Sequence, residues 1–292
     1  MKENQAKLKL IISMIIFGTI GIFRTYIPYS SGFVAFARGL IGTLFIIAVM
    51  LFKRVRINKS LVKKNLLLLC ISGALIGFNW IFLFEAYRYT SVSTATLCYY
   101  MAPVIVILLA PFILKEKQSP KKIFCSVAAI IGAVLISGVF GEGVYGLRGV
   151  LFGLAAAFLY ASVILMNKFI RGLGDYEKTL VQLGMAAVTI LPYVLLTDDL
   201  SSVLVPNVLA ISLLIVVGII HTGLAYTLYF GSVEKIKVQT AAIFSYIDPV
   251  TALVLSAVIL HEDFGLLKLI GSILILGATL ISELETKNKI EK

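Results

Sequence analysis

VSTATLCYYMAPVIVILLAPFILKE (residues 92–116) and VQTAAIFSYIDPVTALVLSAVILHE (residues 238–262) are one segment written twice, 146 residues apart. Ten of the 25 positions are identical, among them Thr94/Thr240, Tyr100/Tyr246, Pro103/Pro249 and Glu116/Glu262. With one residue dropped, GAVLIS (132–137) then meets GATLIS (277–282). Each copy holds an apolar run long enough to cross a hydrocarbon core of about 30 Å as an α-helix. The chain therefore reads as a tandem duplication, with a first five-helix unit over 1–145 and a second over 146–292.

Outward from that pair, apolar segments of similar length fill the chain: 8–27, 32–52, 65–86, 92–113, 121–140, 149–167, 179–197, 207–230, 239–260 and 266–284. Of the 292 residues 60% are hydrophobic and 14% charged, against about 25% charged in a soluble domain, and the mean hydropathy is +1.01. Lipid cannot hydrogen-bond a bare backbone, and the runs lack the alternating period of a transmembrane barrel, so the spans are helices. The expected fold is an all-α integral membrane protein with ten transmembrane helices. Five spans per unit is an odd number, so the second unit enters the bilayer from the opposite side. The two five-helix repeats are then inverted about a pseudo-two-fold axis in the membrane plane, an arrangement recurrent in secondary transporters.

The net charge of +11 invites a nucleic-acid partner, but its placement argues otherwise. When loops are assigned alternately to the two sides, one side carries 21 of the 26 Lys and Arg. The other carries only Arg88, Arg148 and Lys268, while Arg24 and Arg38 fall inside spans. The positive-inside rule then places both termini in the cytoplasm of a multi-pass plasma-membrane protein whose partner is the lipid bilayer, with no nucleic acid. The first apolar run has no small-residue cleavage site and reads as the first helix. Cys70, Cys98 and Cys125 all lie in spans, without metal-type pairing, as packing residues.

The order of motifs in both halves resembles the drug/metabolite transporter superfamily, of the EamA type. FGTIGIFR lies in the first span, Pro28 and Arg38 lead into the second, and YRYTSVSTA precedes the Pro103 helix, LKE and IIGAVLIS. The second half repeats VEKIKVQTA, the Pro249 helix, LHE and ILGATLIS. Phe17-Gly18 stands where the family usually has Trp-Gly. The resemblance implies a ten-helix exporter, less often an importer, of amino acids, other small metabolites or toxic cations.

Asp248 is the residue that the apolar pattern does not explain, because a carboxylate inside a bilayer is costly and marks a functional site by default. Its repeat mate is Ala102, so the duplication does not require it. His221 lies as far before the turn near residues 234–235 as Asp248 lies after it, which puts both roughly 10 to 13 Å from the cytoplasmic edge. A carboxylate and an imidazole at one depth are candidates for proton coupling, or each is satisfied by a neighbouring helix. Pro103 and Pro249 each free a backbone carbonyl, at Tyr99 and Ser245, and kink their helices; such carbonyls are tolerated where they line a cavity.

Around those kinks collect Asn79 and Trp80 of the third span, Tyr99 and Tyr100 of the fourth and Tyr160 and Ser162 of the sixth. Tyr226 of the eighth and Ser245 and Tyr246 of the ninth join them. Aromatic rings of this kind can stack on a planar solute or hold an ammonium. Arg24, Arg38 and Glu85 approach one another near the outer surface, either as a neutralising cluster or with one guanidinium free to bind a substrate carboxylate. Glu116 and Glu262 suit helix-end hydrogen bonding. Gly132, Gly271 and Gly277 point to close packing of spans five and ten, with a homodimer surface as a candidate use.

The expected function is secondary transport of a small polar, amino-acid-like solute, directed outward, by rocking of the two five-helix halves around an aromatic cavity. Asp248 would carry the coupling proton. The alternative is an organic-cation or drug exporter with Asp248 as the counter-ion. No HExxH, GxSxG, metal-ligand cluster or nucleotide-binding P-loop occurs, so neither an enzyme nor a cofactor is expected.

Overall fold

A computed structural model describes residues 2–115, 119–137, 144–198, 207–233, 236 and 243–288. They form helices α1 (Lys2–Thr25), α2 (Ser31–Phe52), α3 (Lys59–Lys64), α4 (Leu66–Tyr89), α5 (Val92–Tyr99), α6 (Ala102–Ile113), α7 (Pro120–Ile136) and α8 (Val144–Asn167). These are followed by α9 (Asp175–Thr197), α10 (Val208–Val216), a π-helical stretch (Val217–Leu224), α11 (Ala225–Val233), α12 (Ile247–Ile259) and α13 (Leu266–Asn288). The ten expected spans each meet a helical element. Among the described residues seven helices are long and apolar enough to cross a membrane by themselves, and Ile243–Ile259 and Leu266–Ser282 are shorter apolar helices. The protein is an all-α membrane protein of two inverted five-helix repeats.

Polar side chains start several of the spans. Ser30, Ser91, Ser119 and Asn207 each accept a hydrogen bond from the backbone N–H three residues on, at α2, α5, α7 and α10. Each such cap satisfies one of the donors that a helix N-terminus leaves open. Large apolar side chains point outward, Leu51, Phe112, Phe124 and Leu196 all more than 70% exposed, as lipid-facing residues must be.

The duplicated segments fold alike in detail. The fourth span breaks after α5, with Tyr100 at φ −72°, ψ 3°, and the ninth breaks before α12, with Tyr246 at φ −76°, ψ −6°. Pro103 and Pro249, three residues on, lack the N–H that would bridge each break. Near the segments' C-terminal ends, Lys115 and His261 are also repeat mates, and both have positive φ (56° and 52°), the left-handed conformation that often closes a helix. Glu262 follows and accepts from Val92 N (2.5 Å), Ser93 N (3.1 Å) and Ser93 Oγ (2.6 Å), capping α5 of the other repeat. Glu116 falls outside the described residues.

Packing does not follow the halves of the sequence. One core joins Ile27, Val34, Ile46, Trp80, Phe84, Leu183, Ile190 and Leu214, from the second, third, seventh and eighth spans and the end of the first. A second joins Leu97, Met101, Ala129, Ile136, Ala157 and Ile275, from the fourth, fifth, sixth and tenth. A third, around Leu10 and Met14 of α1, includes Ile236 and is flanked by Tyr229, Phe244 and Ile247. Every core draws on both repeats, so the packed bodies of the molecule are not the two five-helix halves. Gly132 and Gly271 hold α7 against α13 inside one chain: a Cβ on either would lie 2.7 Å from the other's carbonyl oxygen. Gly277, open for 4 Å around, takes no part in that contact.

Candidate substrate site

The break in the fourth span faces the break in the ninth. Tyr100 Oη donates to Asp248 Oδ2 at 2.7 Å, joining the two repeats at the point where each has lost its helical hydrogen bonding. Asp248 is partly buried, and α1 lies directly over its backbone: a Cβ on Gly18 would sit 2.5 Å from the Asp248 carbonyl oxygen and 2.7 Å from Thr251 Cβ. A glycine is required there for that approach. Phe17, the preceding residue, meets Tyr226 edge-to-face with ring centroids 5.3 Å apart, so an aromatic contact is made where the family usually has Trp.

Asp248 and His221 form neither a hydrogen bond nor an ion pair among the described residues. His221 is 1% exposed; its Nε2 bonds Thr19 Oγ1 at 2.8 Å and its ring packs on Phe23 at 4.7 Å. Equal depth on neighbouring helices leaves the direction of each side chain open, and here His221 turns towards α1. It sits in the π-helical stretch of the eighth span, where the extra residue per turn lets Thr222 Oγ1 donate to Val217 O, five residues back, at 3.1 Å. Local π-turns in otherwise α-helical spans often mark functional positions.

The outer charged cluster is arranged differently from the expected one. Glu85 pairs with Arg88 on its own helix at 2.9 Å, not with the buried arginines, because an i,i+3 partner lies nearest to it. Arg24 forms no hydrogen bond to a carboxylate: Nη1 donates to Ile27 O (2.7 Å) and Nη2 to Ser31 Oγ (3.1 Å), beside the face of Phe84, while its buried Nε meets no acceptor among the described residues. Arg38, 4% exposed, donates Nε to Thr222 Oγ1 at 3.1 Å. Its guanidinium lies 4.2 Å from the ring centroid of Trp80 and 5.6 Å from that of Phe84. Trp80 is thus the platform for Arg38, an attraction that uses no N–H.

Asn79, 1% exposed, donates to Ala156 O at 2.6 Å and ties α4 to α8, so its polarity serves the helix interface. Tyr99 lies between Tyr100 (6.2 Å) and Tyr160 (5.4 Å) in a chain of rings. Ser162 bonds Phe158 O within its own helix. Ser245 and Tyr246 are partly buried, and Tyr246 lines a groove of about 410 Å³ along the ninth span, together with Ile243, Val250, Thr251 and Val254. Asp248 is not part of that groove.

Three residues of this site escape sequence inspection. Tyr87, at the end of α4, bonds Thr96 Oγ1 at 3.5 Å and interacts electrostatically with both Arg38 and Asp248. Thr222 and Thr19 hold Arg38 and His221. Their only signal is polarity in an apolar run, beside a charged or titratable residue at Tyr87 and Thr222. Among the described residues no group of His, Cys, Asp or Glu could hold a metal ion.

Two inverted repeats enclosing a polar cluster, with opposite charges on helices of both repeats, define a membrane transporter. The sequence pattern of the EamA-like transporter family matches twice, over residues 6–138 and 147–283. The chain belongs to that family. It is 30% identical, over 99% of its length and 92% of the relative's, to an uncharacterized transporter, YxxF, of Bacillus subtilis. It is also 27% identical to an uncharacterized transporter of Archaeoglobus fulgidus, over 94% of each chain. Protein RarD of Salmonella typhi is 24% identical over 71% of this chain and 68% of its own. One crystal structure superposes with a TM-score of 0.65 at 19% identity, covering 97% of this chain and 98% of that one, which shows the shared fold.

Proposed function

We propose that the protein is a secondary active transporter that exports a small polar, amino-acid-like solute across the plasma membrane, with both termini in the cytoplasm, and that protons are coupled through Asp248. The observation that carries this reading is the Tyr100–Asp248 hydrogen bond between the two helix breaks. A bond between repeats at their interrupted helices can be exchanged for a solute or a proton without breaking regular secondary structure. The moving parts are the packed bodies that mix both repeats, and alternating access is their relative motion around Asp248. Tyr87, Tyr99, Tyr100 and Tyr226 are the titratable groups that interact with the carboxylate, from the third, fourth and eighth spans, and Arg38 of the second span interacts with three of them.

The test is solute flux in proteoliposomes across a panel of amino acids and organic cations, with and without a pH gradient. Export-directed flux of an amino acid that follows the pH gradient, and loses that dependence in Asp248→Asn, is the expected result. Absence of flux for every solute would overturn the reading.

The second reading, an organic-cation exporter, is favoured by the nature of Asp248's one described hydrogen-bond donor, a neutral hydroxyl: among the described residues no cation pairs with the carboxylate. Proton–cation competition that disappears in Asp248→Asn would support it.

A further inference from the structure

We propose, building on the transporter reading above, that the solute is a zwitterion: Arg38 holds its carboxylate through the two terminal amino groups of the guanidinium, and Asp248 receives its ammonium. Nothing in the sequence ranks Arg38 over Arg24, but the structure does. Both terminal amino groups of Arg24 are occupied, by Ile27 O and Ser31 Oγ. In Arg38 the side-chain hydrogen bond uses Nε, to Thr222, and neither terminal amino group meets a protein acceptor among the described residues. The side chain is nevertheless 96% buried by its 4% exposure. A buried guanidinium without a carboxylate is costly, and the faces of Trp80 and Phe84 offset only part of that cost, leaving a bidentate fork suited to a carboxylate.

Asp248 presents the complementary case. One oxygen accepts from Tyr100, and the other has no described partner. Arg38 and Asp248 do not pair with each other among the described residues. Tyr87, Tyr99 and Tyr226 interact electrostatically with both of them, so three hydroxyl-bearing rings share the space that the two charges address. A solute carrying one charge of each sign neutralises both sites at once; an amine or an acid alone leaves one buried charge unpaired. Discrimination follows from the unpaired group, which is the strong form of polar specificity.

The experiment uses the purified full-length protein and measures thermal stabilisation by α- and ω-amino acids, by their methyl esters and by the corresponding decarboxylated amines, since a ligand of the folded state raises its apparent stability. At least one amino acid should stabilise, with its ester and its amine binding at least tenfold more weakly. Arg38→Gln should erase that preference by weakening amino-acid binding and strengthening amine binding, since the amine no longer leaves a buried guanidinium unpaired, whereas a purely structural role for Arg38 would weaken both. Arg38→Lys should fail to restore the preference. The ester comparison is made on the native protein and does not depend on any variant folding. Amines that bind as tightly as the amino acids would overturn the zwitterion site while leaving a transporter of cations. No binding and no flux for any solute would remove the transporter reading as well.

Discussion

The fourth and ninth spans share a backbone and differ in surroundings. Both break at a tyrosine three residues before a proline, with dihedral angles within a few degrees, and both close on a left-handed residue followed by a glutamate. At the residue before the proline, however, one has Ala102, 1% exposed among Leu97, Met101, Val104 and Ala157, while the other has Asp248 facing tyrosines. Duplication supplied the interruption twice, and only one copy was set in a polar environment. A charge at mid-membrane is therefore a property of the neighbours and not of the helix that bears it.

The sharpest way to break the comparison is Ala102→Asp, which gives the fourth span the ninth's residue without its neighbours. An unpartnered carboxylate there costs about 3 kcal/mol on insertion scales, and we expect loss of monodisperse protein on size-exclusion chromatography. Next is Gly18→Ala, which pushes α1 off the Asp248 carbonyl. Overpacking of this kind costs about 2 kcal/mol, read as a lower Tm. Gly153 of the sixth span is its counterpart against the fourth, where an added Cβ would lie 2.8 Å from Cys98 Cβ, and Gly153→Ala should lower Tm without altering the pH dependence of flux.

Asp248→Asn should preserve the fold and lower flux tenfold, about 1.4 kcal/mol. The sign of its pH effect is fixed by chemistry: the ionised carboxylate attracts an ammonium, so acidification weakens solute binding in the native protein and leaves the Asn variant unchanged. Tyr100→Phe should have the smallest effect, about threefold on affinity, because it removes one neutral hydrogen bond and leaves the carboxylate in place.

Span number, the repeat and its inversion were legible because apolar run length and loop charge are one-dimensional signals. Asp248 was legible for the same reason, as one carboxylate in an apolar run. Its partner was not: depth counted from a turn puts His221 at the same level, but only the packing of α1 against the eighth span shows His221 turned to Thr19, while Asp248 meets Tyr100. The rank of Arg38 over Arg24 was hidden likewise, since it depends on Thr222, 184 residues away. The mixing of both repeats in every core was hidden as well, because hydrophobic periodicity marks which face is buried without naming the neighbour that buries it.

Interleaving also sets a schedule for biogenesis. Arg38 enters the membrane with the second span, and the threonine that accepts its hydrogen bond is 184 residues behind it. At about 5 to 20 residues per second of synthesis, the interval is roughly 10 to 40 s. Throughout that time the guanidinium lacks its final acceptor, and the first span lacks the eighth and ninth spans that cover it. A chain truncated before the eighth span would therefore carry a guanidinium without its hydrogen-bond acceptor.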